Sequence, residues 1–160
     1  MTVDLNQVSL LVRREIEARM AAPFVKTLIV ELGEKRGLAV VQEIITAMAR
    51  EGGIQLAKTV GGNTLAHFAE VLKFWMKDNA LEIQVAERSA SVFAFNVTRC
   101  RYAEMYEALG MREMGIHLSC ARDFALMEGF NPGIRLVRTH TIMEGAKTCD
   151  FRYEAAKGQR

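Results

Sequence analysis

The residue types best suited to covalent or acid–base chemistry lie in the second half of the chain. Cys120 is followed three positions later by Asp123, and Cys149 is followed directly by Asp150. On a helix, a spacing of three places Cys120 and Asp123 on the same side. A thiol could act as a nucleophile, and a carboxylate could activate water. These four residues are the candidate catalytic groups, and the choice between attack by a thiol and attack by water stays open.

Basic and polar side chains in the same region could bind an anionic substrate. The candidate substrate-binding residues are Asn96, Arg101, Arg138, Thr139, Thr141 and Arg152. A guanidinium group can bind a carboxylate through two hydrogen bonds or depress the pKa of a nearby thiol. Amide and hydroxyl groups can orient a substrate and stabilise developing negative charge. Each residue also has an ordinary alternative, because cysteines often pack as small apolar groups and Arg–Asp pairs often join strands.

The sequence predicts neither a metal site nor a cofactor. Nineteen residues separate Cys100 from Cys120, and twenty-eight separate Cys120 from Cys149. No Cys-x-x-Cys pair is present, although His117 precedes Cys120 by three. Zinc sites usually show closer ligand pairs. The chain also lacks a P-loop, a Gly-x-Gly-x-x-Gly run and a Gly-x-Ser-x-Gly elbow, so nucleotide binding and an α/β-hydrolase site are unsupported.

The elements that must position these residues begin with helices, predicted from Asp4 to Lys77. In the first helix an apolar stripe recurs every three or four residues and leaves Arg13, Arg14 and Arg19 off it. That stripe is Leu5, Val8, Val12, Ile16 and Met20. Pro23 is placed to begin a second helix that ends at Gly37. A third helix is expected to end near Gly52-Gly53, and after a break at 61–63 a fourth runs from Leu65 to Trp75.

After Asp78 the apolar period changes to two, which predicts strands. The expected strands cover 81–87, 92–98, 135–143 and 148–153, with a turn at 89–91. Helices at 101–109 and 117–128, ended by Gly110 and Gly129, separate the strand pairs. On the strand 135–143, Arg138 and His140 share one face and Thr139 and Thr141 the other. Asp150 and Arg152 share one face of the last strand, opposite Cys149, Phe151 and Tyr153.

The predicted fold is α+β, with an N-terminal helical layer packed on a roughly four-stranded antiparallel sheet and two further helices between the strand pairs. We expect one domain over 1–160, with a helical half at 1–77, a sheet-containing half at 78–153 and a tail at 154–160 that is frayed from Lys157. A substrate pocket is expected at the far face of the sheet or at its rim.

Composition limits the classes of function. The chain has 160 residues, 50% of them hydrophobic, and a formal net charge of +2. Such a small charge does not favour a nucleic-acid partner, and no apolar run is long enough for a membrane span. The N-terminus shows no secretory signal, so three reduced cysteines in the cytoplasm are expected. Four apolar helices in a small protein predict exposed apolar surface and a homo-oligomer.

The second half resembles the L-2-amino-thiazoline-4-carboxylic acid hydrolase family. The resemblance extends from Asn96 to Tyr153, and the helical first half is similar only in kind. The runs that carry it are Asn96-Val97-Thr98-Arg99-Cys100-Arg101-Tyr102-Ala103-Glu104-Met105-Tyr106, Leu109-Gly110, Cys120-Ala121-Arg122-Asp123-Phe124, Gly129-Phe130-Asn131-Pro132, Arg138-Thr139-His140-Thr141-Ile142-Met143-Glu144-Gly145 and Cys149-Asp150-Phe151-Arg152-Tyr153.

The resemblance implies a hydrolase that opens a small cyclic acid at a C–N or C=N bond and gives an N-carbamoyl amino acid. Its partner would be a small molecule with a carboxylate. The residues also allow a non-catalytic small-molecule-binding or sensor domain, which a ligand would stabilise without being consumed. A third possibility is a redox protein whose three thiols exchange disulfides, which the absence of Cys-x-x-Cys disfavours.

Overall fold

The computed structural model describes residues 7–156 and confirms the α+β class. The α-helices are α1 (Leu10–Leu32), α2 (Glu34–Thr59), α3 (Leu65–Met76), α4 (Arg101–Ala108), α5 (Arg112–Gly115) and α6 (Arg122–Phe130). A 3₁₀ turn covers Lys77–Asn79 and a π-helical turn covers Ile116–Cys120. The strands are β1 (Leu81–Arg88), β2 (Val92–Cys100), β3 (Ile134–Val137) and β4 (Cys149–Ala155).

The four strands form one antiparallel sheet in the order β1-β2-β4-β3. Phe95 lies opposite Phe151, and Asn96 lies opposite Asp150. Because side chains alternate along a strand, one sheet face is apolar and packs on α3 and α6, whereas the other carries polar groups. The apolar core between sheet and helices includes Phe68, Phe93, Phe95, Phe130, Phe151 and Tyr153.

The break between the first two helices lies at Gly33, so two predicted boundaries are wrong. Pro23 lies inside α1 instead of beginning a helix, and Gly37 lies inside α2 instead of ending one. Gly33 has a φ of 78°, in the left-handed region that glycine tolerates best, and it terminates α1. Residues 10–76 therefore form three α-helices where four are predicted. The fourth predicted helix, now α3, is confirmed.

Two glycines predicted to end helices instead allow two helices to cross closely. Gly53 lies within α2, and Gly129 lies within α6. A Cβ atom on Gly53 would lie 2.1 Å from the carbonyl oxygen of Leu126. A Cβ atom on Gly129 would lie 1.9 Å from the carbonyl oxygen of Arg50. The glycines are required for the approach of the two backbones, so both predicted helix ends are wrong.

The apolar stripe predicted on the first helix faces away from the core. Ile16 is 60% exposed and Met20 is 68% exposed, while Ala18 and Val25 are buried. The arginines predicted to lie off the core-facing stripe include Arg13, which lines a partly open cavity instead. Hydrophobic periodicity alone does not show which face of an amphipathic helix the rest of the molecule covers. Asp4 and Leu5, where the prediction begins, lie outside the described residues.

The segment from 138 to 148 is a loop, not part of a strand. The strand predicted over 135–143 ends at Val137, and β4 begins at Cys149 and extends to Ala155. Arg138 and His140 therefore do not share a strand face, nor do Thr139 and Thr141. Gly145, with a φ of 100°, reverses the chain. The predicted tail segment 157–160 lies outside the described residues.

The helix predicted over 117–128 also has different bounds. A π-helical turn precedes it, and α6 continues past Gly129 to Phe130. None of the helices in the described part of the chain has the length and apolar character needed to cross a membrane.

Candidate functional site

A cavity of about 370 Å³ lies between the apolar face of the sheet and the surrounding helices. It is lined by the N-terminal end of α1, the second half of α2, the end of α3, the start of α6, and residues from the loop 138–148. Five of the ten candidate site residues line it: Cys120, Asp123, Arg138, Thr141 and Cys149. The other five lie elsewhere.

Asp123 and Arg138 form a buried ion pair in the cavity wall. The Arg138 side chain is only 9% exposed, and its Nη1 donates hydrogen bonds to Asp123 Oδ2 and, at 3.2 Å, to the Cys120 carbonyl. Its guanidinium also lies over the rings of Phe124 and Phe151, 5.1 and 5.5 Å from their centres. These contacts hold Arg138 and its partner carboxylate in one orientation.

Burial raises the pKa of Asp123 to about 6, although Arg138 opposes the shift. A carboxyl group with such a pKa can accept or donate a proton near neutral pH. Arg138 occupies Oδ2, and within residues 7–156 no hydrogen bond engages Oδ1. That oxygen remains able to accept a proton from water in the cavity.

Three thiols line the cavity, and all are protonated at neutral pH. Burial raises the pKa of Cys100 to about 11 and raises the pKa of Cys120 further, with the Asp123 carboxylate adding to the effect. Burial also raises the pKa of Cys149, whose Sγ accepts a hydrogen bond from the Ile142 amide at 3.2 Å. From the sequence, a neighbouring cation is a candidate for lowering the pKa of a thiol. In the structure, burial raises the pKa of the thiols by more than the Arg138 guanidinium lowers it.

Asp150 stabilises the loop 138–148 through hydrogen bonds and does not line the cavity. It accepts hydrogen bonds from the Thr139 amide, the Thr139 hydroxyl and the His140 amide, at 2.8, 2.8 and 2.9 Å. These bonds hold the pKa of Asp150 below its usual value despite partial burial. The candidate catalytic Asp150 and the candidate binding residue Thr139 thus bond to each other on the polar side of the sheet.

Three further candidate binding residues also face away from the cavity. Arg152 donates hydrogen bonds to Asn96 Oδ1 at 2.7 Å and to the Phe95 carbonyl at 2.8 Å. Arg101 donates to the Asp78 carbonyl at 2.7 Å. Strand alternation places Asn96 and Arg152 on the face opposite Cys149, so these residues cannot share one cavity with the thiols.

Thr141 lies in the cavity wall, but its hydroxyl forms hydrogen bonds within a turn. Its side chain is buried, its hydroxyl donates to Glu144 Oε2 at 2.6 Å, and it accepts from the Glu144 amide at 3.1 Å. It shapes the loop that carries Arg138.

The sequence analysis missed a group of arginines at the α1 side of the cavity. Arg13, Arg14 and Arg122 all line it, and Arg14 and Arg122 both pair with Glu17. The only signal in the sequence is a pair of consecutive arginines near the start of a helix that also carries other charged residues. Cys100 belongs to the family-like run but was not assigned to the site, and it too lines the cavity.

No group of three or more histidine, cysteine and acidic side chains in residues 7–156 is arranged to hold a metal ion. The three cysteines are free thiols.

Two solved structures resemble this fold at low sequence identity. One is the phenol-responsive sensory domain of the transcription activator PoxR with phenol, at 11% identity and a TM-score of 0.54, over 89% of this chain and 76% of that one. The other is a trafficking protein particle complex subunit 3 from Naegleria fowleri, covalently bound to palmitic acid, at 10% identity and a TM-score of 0.53, over 93% and 98% of the two chains. These likenesses show the fold alone.

Sequence comparison gives the family. A search of curated proteins found no match. The family model described as L-2-amino-thiazoline-4-carboxylic acid hydrolase matches residues 13–153, which is most of the chain and includes the cavity-lining arginines of α1. The resemblance found in the second half therefore extends over the helical first half as well, and the chain belongs to the L-2-amino-thiazoline-4-carboxylic acid hydrolase family.

Proposed function

We propose that this protein hydrolyses a cyclic acid at a C=N carbon, with Asp123 activating the attacking water. The observation that carries the proposal is the Asp123 carboxylate, which Arg138 holds in the wall of a partly open cavity and whose pKa is raised by burial to about 6. Membership of the hydrolase family supports the reaction type.

The reaction balances with one water molecule and no other reactant. For a 2-amino-thiazoline acid, Asp123 takes one proton from water while the oxygen bonds to the ring carbon between sulfur and nitrogen, and that proton passes to the ring nitrogen. The carbon–sulfur bond then breaks as the new hydroxyl becomes a carbonyl, and the hydroxyl proton goes to the departing sulfur. The product is N-carbamoyl-cysteine.

The raised pKa values of the thiols support attack by water over attack by Cys120 or Cys149. A neutral thiol is a much weaker nucleophile than a thiolate, and burial disfavours the thiolate in all three cases. Asp123 instead needs only to lose a proton near pH 6.

The direct test is to incubate the purified protein with 2-amino-thiazoline-4-carboxylate and follow N-carbamoyl-cysteine by chromatography and mass spectrometry. We expect product with the wild type and product formation slower by a factor of about 10²–10⁴ with Asp123→Asn. Absence of turnover with this acid and with a panel of related thiazoline and hydantoin-like acids would reject the hydrolase proposal.

A second candidate function is a small-molecule-binding domain without catalysis. The observation that favours it is the largely apolar wall of the cavity, in a fold shared with a phenol-responsive sensory domain. A binding domain would be stabilised against heat by its ligand while leaving the ligand unchanged. Ligand recovery after incubation separates the two functions.

A further inference from the structure

The cavity wall carries more positive than negative charge. Its charged residues are four arginines and one aspartate. Glu17, just outside the cavity lining, is shared by Arg14 and Arg122, and Asp123 is paired with Arg138. Three of the four guanidinium groups therefore have a carboxylate partner. Because Glu17 serves two of them, two positive charges remain in excess, one shared by Arg14 and Arg122 and one on Arg13.

Within the described residues, Arg13 is the arginine of this group that has no protein partner. In the stretch 7–156 its guanidinium forms neither a hydrogen bond nor an ion pair, and its Nε is buried and unpaired. Because Arg13 lines the cavity and has no partner among these residues, its guanidinium is available to pair with the carboxylate of a ligand. Arg13 lies near the phenol of Tyr102, which is itself bonded to the Trp75 carbonyl at 3.1 Å.

Most of the remaining wall is apolar. Met48 and Leu56 of α2, Phe74 and Trp75 of α3, and Leu126 of α6 line the same space as Arg13. A volume of about 370 Å³ falls in the range of roughly 300–1,000 Å³ that accommodates ligands larger than a single small ring. A polar five-membered ring acid would leave these apolar side chains without a partner.

We propose that Arg13 binds the carboxylate of the substrate and that the substrate is an amphiphilic acid, with an apolar part that packs against Leu56, Trp75 and Leu126. Calling the ligand a substrate rests on the proposed hydrolase function. The binding of an amphiphilic acid does not, because it depends on the charge and the wall of the cavity alone.

The experiment measures binding of simple probes by titration calorimetry. Octanoate, acetate and the uncharged octanol are titrated into the wild type, Arg13→Gln, Arg13→Lys and Arg19→Gln. Arg19 is the matched control, because it lies on the same helix but is exposed and pairs with Glu15.

We expect octanoate to bind more tightly than acetate, with affinity rising roughly three- to fourfold for each methylene that is buried. Arg13→Gln should weaken octanoate at least tenfold and leave octanol unchanged, Arg13→Lys should retain part of the affinity, and Arg19→Gln should match the wild type. Retained octanol binding shows that the variant cavity is intact.

Equal octanoate affinity in the wild type and Arg13→Gln would overturn the role of Arg13. Acetate binding as tightly as octanoate would overturn the amphiphilic ligand. If Arg13→Gln does not fold, the wild type still provides a test. Octanol that binds to the wild type as tightly as octanoate would overturn the carboxylate site. Arg13-dependent octanoate binding without turnover of any ring acid would reject the hydrolase proposal and leave the binding site standing.

Discussion

Asp123 makes the proposed activity depend on pH in one direction. As a base it must be ionised, so kcat/KM should fall as the pH drops through about 6, the pKa to which burial raises this group. Asp123→Asn should lower kcat by a factor of about 10²–10⁴. The measurement is a pH–rate profile of ring opening between pH 4.5 and 8.

Glu128→Gln, an exposed carboxylate on the same helix, is the matched control and should keep the wild-type profile. Activity that instead rises as the pH falls through 6 would show that Asp123 acts in its protonated form, contrary to the proposal.

The thiols should be unreactive in the folded protein. Because burial raises the pKa of Cys100, Cys120 and Cys149, few thiolates exist at pH 7.5 and alkylation by iodoacetamide should be slow. Mass spectrometry should show complete alkylation only in denaturant. Cys120→Ser and Cys149→Ser should each retain most of the activity. Loss of activity in Cys120→Ser with normal folding would restore the thiol mechanism.

The residue types in the sequence indicate acid–base or nucleophilic chemistry, but only some of the candidate side chains lie close together in the structure. Asp123 and Arg138 are paired through a loop whose course depends on Asp150, and no local pattern gives that course. Strand alternation already predicts that Asp150 and Arg152 lie on the opposite face of the sheet from Cys149. Residues on opposite faces of one strand cannot line the same cavity.

At the scale of elements, alternation predicts the hairpin of β1 and β2 and helical period predicts α3, because β2 and α3 carry buried apolar residues. Helix ends were predicted poorly, since a glycine can end a helix or let another backbone approach. Gly33 ends a helix, whereas Gly53 allows the backbone of α6 to approach, and the sequence around the two glycines does not distinguish these roles. The contact that decides the matter comes from α6, more than seventy residues away along the chain.

The neighbouring glycines of α2 give a matched test of that crossing. Gly53→Ala places a methyl group 2.1 Å from the Leu126 carbonyl oxygen and should destabilise the protein by about 1–3 kcal/mol or more. Gly52→Ala meets nothing within 4 Å and should stabilise it by about 0.5–1 kcal/mol. Chemical denaturation monitored by circular dichroism measures both. Equal effects of the two substitutions would mean that α2 and α6 do not cross at Gly53.

At the scale of the whole molecule, the cavity is assembled from parts that no single segment predicts. Its arginines come from α1, α6 and the loop 138–148, its apolar wall from α2, α3, α6 and the sheet, and its carboxylate from the start of α6. The runs that resemble the family lie between residues 96 and 153, so they identify only the part of the cavity wall that this half of the chain supplies. The helical half supplies the surfaces that we infer select the ligand.

The outward-facing apolar residues of α1 and α2 lead us to expect a homodimer. Val12, Ile16, Met20 and Phe24 recur every four residues on α1, and Ile44 is exposed on α2. The smaller stable interfaces bury about 600 Å² per copy, or about 1,200 Å² for a pair, and this surface would have to supply that area. A two-fold arrangement of identical apolar faces would cover these residues.

Light scattering after size-exclusion chromatography should therefore give twice the chain mass at micromolar concentration. Met20→Asp combined with Phe24→Asp should give the monomer mass, because burying carboxylates in an apolar interface is costly. Val85→Asp is the matched control, since Val85 is an exposed apolar residue on β1 and should leave the dimer intact. A wild-type protein that elutes at the monomer mass at all concentrations up to about 100 µM would contradict this prediction.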